Sequence, residues 1–109
     1  MQAMRLRERL CHEQLDALRT VDLLATPTSP KPAPTFTVTW DTTAGFPRNN
    51  TSPLNLSGLP SLALPDGFSA AGLPISLPLT GRPFGEATVL RAGHAYEQAT
   101  DWHRRRPPV

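Results

Sequence analysis

Glycine and proline divide the second half of this chain into short apolar runs, and this spacing limits the possible folds more than any other feature. Between residues 55 and 84 the turn-forming residues recur every few positions and separate apolar runs of strand length. Two runs, at 61–64 and 73–79, predict strands, and the short apolar run at 21–25, which contains Asp22, predicts a third, buried strand. Because Pro78 cannot donate to a sheet ladder, we expect an edge or a bulge there.

An amphipathic helix is predicted at each end of the chain. Apolar residues recur at helical spacing between residues 2 and 19, and charged residues occupy the opposite face. A second apolar stripe of the same period predicts a helix over residues 85–100. The tail at 101–109 follows this helix, and Trp102 is expected to anchor the tail on the body of the protein.

The region between the helices is predicted to consist of loops, turns and short strands. Residues 31–50 read as a loop, in which period-two alternation at 35–40 allows one short strand. Residues 51–81 hold the strands and turns, together with a short helix that Pro53 begins and Gly58 ends. The expected fold class is therefore α/β, with terminal helices flanking about three short strands.

The composition is that of a globular chain without a strong charge bias. Hydrophobic residues make up 39% and charged residues 18% of the 109 residues, and the formal net charge is +2. Arg104, Arg105 and Arg106 are grouped near the end of the chain, where a solvated tail is the simplest interpretation. A nucleic-acid binder spreads a basic stripe over one face. The sequence lacks such a stripe, so binding of nucleic acid through these three arginines ranks last among the alternatives.

Membrane proteins and disulfide-bonded proteins are also disfavoured. No segment reaches the roughly 18 consecutive apolar residues that a membrane-spanning helix needs, so no membrane partner is expected. Cys11 is the single cysteine, which excludes a disulfide within the chain and a zinc site built from cysteines. A lone thiol fits a reducing compartment, and we expect the protein in the cytoplasm.

The order and spacing of several short motifs resemble the C-terminal end of the amidase-signature family. These enzymes are serine hydrolases that cleave carboxamides with a Ser–Ser–Lys triad. The resemblance covers nearly the whole chain and includes a closing helix at 86–97. The other matching motifs are Asp-Leu-Leu-Ala-Thr-Pro-Thr at 22–28, Asn-Leu-Ser-Gly-Leu-Pro-Ser-Leu-Ala-Leu-Pro at 55–65, Gly-Leu-Pro-Ile at 72–75 and Gly-Arg-Pro-Phe at 81–84.

This resemblance implies that residues 1–109 form the C-terminal part of an amidase domain with the family's mixed-sheet fold. The catalytic triad is not expected here, because Lys31 is the single lysine and none of the six serines has a serine neighbour. The three histidines show no metal-ligand spacing, so we expect no catalytic residue, no metal and no cofactor. The parent enzyme would cleave amide carbon–nitrogen bonds, and this part alone would be inactive. Its expected partner is the missing N-terminal part of the domain.

Two residues are candidate binding positions on the same resemblance. Arg48 and Asn55 would line the acyl pocket at best, and Asn55 could instead satisfy nearby backbone groups. Members that draw ammonia from glutamine carry an acid at about the position of Arg48. The arginine favours a general amidase of unknown substrate.

A different class of function stays open at this point. The chain could be a small non-catalytic module that docks on a partner through exposed strands. Strands without neighbours present unpaired edges and apolar faces, which favour association. A protected, monodisperse monomer would favour such a module, whereas a homo-oligomer or an aggregate would favour a severed piece of a larger domain.

Overall fold

The computed structural model describes residues 2–34 and 49–106, and in these ranges helices and a three-stranded sheet alternate along the chain. The elements, in chain order, are α1 (Gln2–Ala17), β1 (Leu23–Ala25), α2 (Ser52–Ser57), β2 (Ser61–Phe68), β3 (Pro74–Gly81), α3 (Glu86–Ala99) and a short 3₁₀ helix (Trp102–Arg104). This arrangement confirms the α/β fold class with helices towards both ends. The strand predicted at 35–40 lies outside the described residues.

The sheet has the order β1–β3–β2, and both pairings are antiparallel. β2 and β3 form a hairpin whose turn is closed by a hydrogen bond of 2.8 Å from the Ser69 N–H to the Leu73 carbonyl. Gly72 lies in this turn with φ of +75°, a left-handed conformation that glycine adopts without strain. β3, the last strand in sequence, is thus the middle strand of the sheet.

The position of Pro78 corrects the expectation of an edge or a bulge. Pro78 lies inside the central strand, paired with Ala63 of β2. Its carbonyl accepts a hydrogen bond of 3.2 Å from Thr26, the residue that follows β1. Because N–H and C=O of one strand residue point to the same side, the missing donor of Pro78 also faces Thr26. The proline therefore costs a single bond just beyond the end of β1, and the pairing with β2 is unaffected.

β2 is longer than the sequence predicted. The expected strand ended at Pro65, whereas β2 continues to Phe68, with a bulge at Asp66. Antiparallel alternation turns the nitrogen of Pro65 towards the outer edge of the sheet, where no bond to β3 is needed. A proline at that position does not end the strand.

α3 packs on one face of the sheet and forms the core with it. Leu64, Leu79 and Val89 are its buried members, one from each of β2, β3 and α3. Two glycines lie where the helix meets the sheet. A Cβ on Gly81 would lie 2.6 Å from Cγ2 of Val89, and a Cβ on Gly93 would overlap the side chain of Leu62. This contact holds α3 against β2 and β3.

Candidate functional site

Of the two candidate binding residues, only Asn55 lies within the described residues. Asn55 lies in α2 with an exposed side chain, and its N–H makes a helix bond of 3.1 Å to the Thr51 carbonyl. Arg48 lies outside the described residues. The role of both residues in lining a pocket stays a prediction.

Two neighbouring asparagines, Asn49 and Asn50, form hydrogen bonds to backbone groups, the role that the sequence analysis offered as an alternative for Asn55. Asn49 Oδ1 accepts hydrogen bonds from the N–H and the hydroxyl of Ser52, at 2.9 and 2.8 Å, and so caps the start of α2. Asn50 Nδ2 donates to the Pro27 carbonyl at 2.8 Å, and the Asn50 N–H donates to the Thr28 carbonyl at 3.1 Å. Together they tie α2 to the segment after β1. An asparagine shortly before a helix whose first turn holds a proline is the signal that could have identified them.

An open apolar depression of about 340 Å³ lies on the hairpin of β2 and β3. Its lining has no titratable side chain, so the depression offers apolar surface and no acid–base chemistry. The six lining residues are Ala63, Leu64, Pro65, Pro74, Ile75 and Ser76. Across residues 2–34 and 49–106, no group of three His, Cys, Asp or Glu side chains is placed to hold a metal ion.

A polar and aromatic cluster holds the end of the chain against the bulge in β2. The phenol of Tyr96 donates a hydrogen bond to Asp66 Oδ1. This bond raises the pKa of Tyr96 above its usual value, and burial and the charge of the carboxylate act in the same direction. The ring of Trp102 lies over Gly67, 3.7 Å from where a Cβ would be, and meets Phe68 edge-on at 6.2 Å between ring centroids. Because a side chain at position 67 would displace the indole, glycine there allows the contact.

One of the three arginines at 104–106, Arg105, contacts Trp102 and Asp101. Arg105 lies over the ring of Trp102 at 4.6 Å and forms an ion pair of 3.3 Å with Asp101. Both partners of the ion pair are about half exposed, and such pairs contribute at most about 1 kcal/mol. Arg104 and Arg106 are exposed, as a solvated tail would have them.

Arg82 joins the end of β3 to the N-terminal half. Its Nε donates to the Leu18 carbonyl at 2.8 Å, and its Nη2 donates to the Val21 carbonyl at 3.1 Å and to Asp22 Oδ1 at 3.3 Å. Leu18 is 1% exposed, so its carbonyl has little access to other partners. The Gly-Arg-Pro-Phe motif of the sequence thus contains the residue that fixes α1 relative to the sheet.

Many large apolar side chains point away from this core. Phe84, the residue two positions after Arg82, is 95% exposed and has a φ of +58°, which is uncommon for a residue other than glycine. The others are Met4, Leu6, Val21, Leu56, Phe68, Leu73, Ile75 and Leu90. Each helix of the described ranges is too short or too polar to cross a bilayer. The exposed side chains therefore form surfaces that a larger fold could cover.

The chain is similar in sequence and in structure to several larger proteins of known family. A family model described as Amidase matches residues 1–90. The chain is similar to the A subunit of the glutamyl-tRNA(Gln) amidotransferase of Moorella thermoacetica, with 45% identity over 100% of this chain and 23% of the relative. It is 54% identical to the same subunit of Chloroflexus aggregans over 82% of this chain and 18% of the relative. The crystal structure of this subunit from Thermotoga maritima matches with a TM-score of 0.71 and 33% identity, covering 83% of this chain and 20% of that one.

The lengths in these comparisons are unequal. The chain spans about a fifth of the curated relatives it matches, and the matching segment is their C-terminal portion. About four fifths of each relative therefore has no counterpart in the 109 residues.

Proposed function

This chain belongs to the amidase family, and on that premise we propose that it works as the C-terminal wall of an amidase domain whose catalytic residues lie in the remaining part. The observation that carries this proposal is the extent of the match. The Moorella thermoacetica subunit is matched over the whole of this chain, which equals less than a quarter of that subunit. An independent module would instead be expected to match along most of a relative's length.

The distribution of apolar side chains supports this proposal. The described residues bury four hydrophobic side chains almost completely and leave nine large ones exposed. Monomeric soluble proteins rarely expose large contiguous apolar patches, because such patches favour association. Packing against the rest of an amidase domain would cover them. A non-catalytic module docking on an unrelated partner would use the same surface, but the family match over residues 1–90 favours the amidase domain.

We infer that the complete domain cleaves amide carbon–nitrogen bonds and that the described part supplies the sheet and the pocket wall. The relatives are named as one subunit of an amidotransferase. Arg48 favours hydrolysis of a general amide, since an acid at this position is expected in members that use glutamine. The single thiol of Cys11 supports a reducing, cytoplasmic compartment.

A chimera tests the proposal. The matching C-terminal region of the Moorella thermoacetica subunit is replaced by this chain, and hydrolysis of simple carboxamides and of glutamine is measured. The truncated subunit without the region is the matched control, and the isolated chain is assayed beside it. We expect a folded, active chimera and no turnover from the other two samples. Turnover by the isolated chain, or a chimera no better folded and no more active than the truncated subunit, would refute the proposal.

A second variant examines the role of Arg48. The change Arg48→Asp in the chimera should raise glutamine hydrolysis relative to hydrolysis of simple carboxamides. An unchanged ratio would remove Arg48 as a determinant of the amide that is used.

A further inference from the structure

The extra residue of the bulge in β2 is held by a contact from outside the sheet. The register of β2 with β3 passes from Pro65 to Gly67 and leaves Asp66 between them. Because a bulge leaves its extra residue unpaired in the ladder, other contacts decide where that residue lies. The phenol of Tyr96 donates a hydrogen bond to Asp66 Oδ1 and so connects α3 to the bulge.

The 3₁₀ helix adds a second contact to the same segment of β2. The indole of Trp102 lies over Gly67 and meets Phe68 edge-on, at 6.2 Å between ring centroids. The hydrogen bond to Asp66 is the largest cause of the raised pKa of Tyr96, and an interaction with the Trp102 side chain acts in the opposite direction. A phenol that interacts with both groups joins the two contacts in one cluster.

The orientation of Trp102 is fixed by contacts within the tail. The guanidinium of Arg105 lies 4.6 Å from the centroid of its ring and forms an ion pair of 3.3 Å with Asp101. The Arg104 N–H donates to the Asp101 carbonyl at 3.0 Å, and the Arg105 N–H donates to the Trp102 carbonyl at 3.3 Å. These bonds make residues 101–105 a compact unit, which we call the clasp.

The segment of β2 that meets the clasp adjoins the apolar depression on the hairpin. Pro65, directly before the bulge, lines the depression. Gly67 is paired with Ile75 and Phe68 with Pro74, and both partners also line it. A shift of the bulge would therefore move three of the six lining residues.

The contacts of Tyr96 and Trp102 do not lie in the depression itself. Ala63 and Pro65 alternate with Leu62 and Leu64, which pack with α3 in the core. Successive side chains of a strand point to opposite faces, so Ala63 and Pro65 are directed away from α3. Neither Tyr96 nor Trp102 is among the six residues that line the depression. Both side chains would therefore act on this surface through the position of the bulge.

We propose that the clasp and Tyr96 position the bulge of β2 and so set the geometry of the hairpin as a pocket wall, which makes Trp102 and Tyr96 positioning residues for substrate affinity. This inference rests on the proposed function, in which the described part supplies the pocket wall and the catalytic residues lie in the remaining part. Both residues follow the segment 1–90 that the family model matches. The clasp is thus additional to the segment by which the family is recognised.

Steady-state hydrolysis of simple carboxamides by the chimera with the Moorella thermoacetica subunit separates KM from kcat. We expect Trp102→Ala to raise KM about fivefold or more and to change kcat less than about twofold, because the wall shifts while the catalytic residues stay in place. Trp102→Phe keeps an aromatic ring near Gly67 and should restore most of the affinity. An unchanged KM in Trp102→Ala would overturn the inference.

Arg82→Ala is the control for a general loss of stability. Arg82 follows β3 at the end of the hairpin away from the bulge, and its side chain bonds to Leu18, Val21 and Asp22. This variant should lower the thermal midpoint and leave KM within about twofold of the native chimera. A rise in KM equal to that of Trp102→Ala would show that lost stability alone explains the effect, and this too would overturn the inference.

Tyr96→Phe tests the second contact and removes a single hydroxyl, so it decides the question if Trp102→Ala does not fold. We expect a rise in KM in the same direction. The double variant should raise KM by less than the product of the two single effects, because both side chains act on one bulge. An unchanged KM in Tyr96→Phe, or strictly multiplicative effects, contradicts positioning by one cluster.

Amide hydrogen exchange in the 109-residue chain measures the clasp without an enzyme assay. The Ser69 N–H, just after β2, bonds to the Leu73 carbonyl, and the Gly81 N–H bonds to the Pro60 carbonyl at the other end of the hairpin. Trp102→Ala should speed exchange at Ser69 at least about tenfold and leave Gly81 within about twofold, because local opening exposes only the nearby bonds. Equal acceleration at both amides, or none at Ser69, would contradict a local role of the clasp.

The outcomes also separate the two proposals. A chimera with the native chain that neither folds nor hydrolyses amides refutes the proposed function, while exchange at Ser69 in the 109-residue chain still decides whether the clasp holds the bulge. An active native chimera whose KM responds to neither Trp102→Ala nor Tyr96→Phe leaves the proposed function standing and refutes the positioning alone.

Discussion

Replacing Gly81 by alanine should destabilise the packing of α3 on the sheet. The new Cβ would lie 2.6 Å from Cγ2 of Val89, which is 3% exposed. Valine has one strongly preferred χ1 rotamer in a helix, so this methyl group cannot move aside. Overpacking costs about 1 to 3 kcal/mol, and removing a glycine from a strand returns roughly 0.5 to 1 kcal/mol. We expect a net loss of about 1 kcal/mol in the free energy of unfolding, the difference between the middles of these two ranges.

Urea unfolding of the 109-residue chain, followed by far-ultraviolet circular dichroism, measures this loss. In a domain of this size, 1 kcal/mol corresponds to a shift of about 4 to 8 °C in the thermal midpoint, which provides a check by heating. Gly93→Ala is the matched control. Its Cβ meets the flexible, half-buried end of Leu62, and alanine gains about 1 kcal/mol of helix propensity over glycine. The control should therefore change stability much less than Gly81→Ala.

A double-mutant cycle isolates the contact between the two side chains. Val89→Ala alone should cost about 2 kcal/mol through lost burial. With Cγ2 removed, Gly81→Ala has space for its methyl group, so the double variant should be more stable than the sum of the two losses by about 0.5 to 3 kcal/mol. Strict additivity, or a neutral Gly81→Ala, would show that the glycine is not required for the helix to approach the sheet.

Three further changes test the other contacts. Because the pKa of Tyr96 is raised in the folded state, its hydrogen bond to Asp66 stabilises the fold below the usual pKa of 10.0, and this stabilisation is lost as the pH rises through the higher folded value. Tyr96→Phe should abolish the alkaline loss of stability, which is measured as the unfolding midpoint against pH. Phe84→Gly should stabilise the isolated chain by about 1 kcal/mol, because it relieves a left-handed backbone conformation without removing packing, and a lower urea midpoint would contradict this. Arg82→Ala should cost about 1 to 3 kcal/mol in urea unfolding, since its three acceptors lose their donor, whereas Arg91→Ala on the exposed side of α3 should stay within about 0.5 kcal/mol.

The family could be read from the residues alone. The motifs between positions 22 and 97 indicated an amidase, and the family match over residues 1–90 confirms it. The residues of the candidate site were harder to predict from the sequence than the family. The sequence predicts that Asn55 lines a pocket, which stays a prediction, and it does not indicate that Asn49 and Asn50 make the bonds that fix α2. Which of several adjacent asparagines bonds to a backbone group depends on the path of residues 27 and 28, far away in sequence.

The sequence by itself determined the local elements, because helical periodicity and the positions of glycine and proline act over a few residues. It therefore indicated the helices at Gln2–Ala17 and Glu86–Ala99 and strands near those observed. Only the tertiary structure decided that β3 is the central strand and that Pro78 lies inside the sheet. Strand order depends on pairing between segments tens of residues apart, and the cost of a proline depends on whether its nitrogen faces a partner. Neither the strand order nor the direction of the proline nitrogen can be predicted from the residues next to it in sequence.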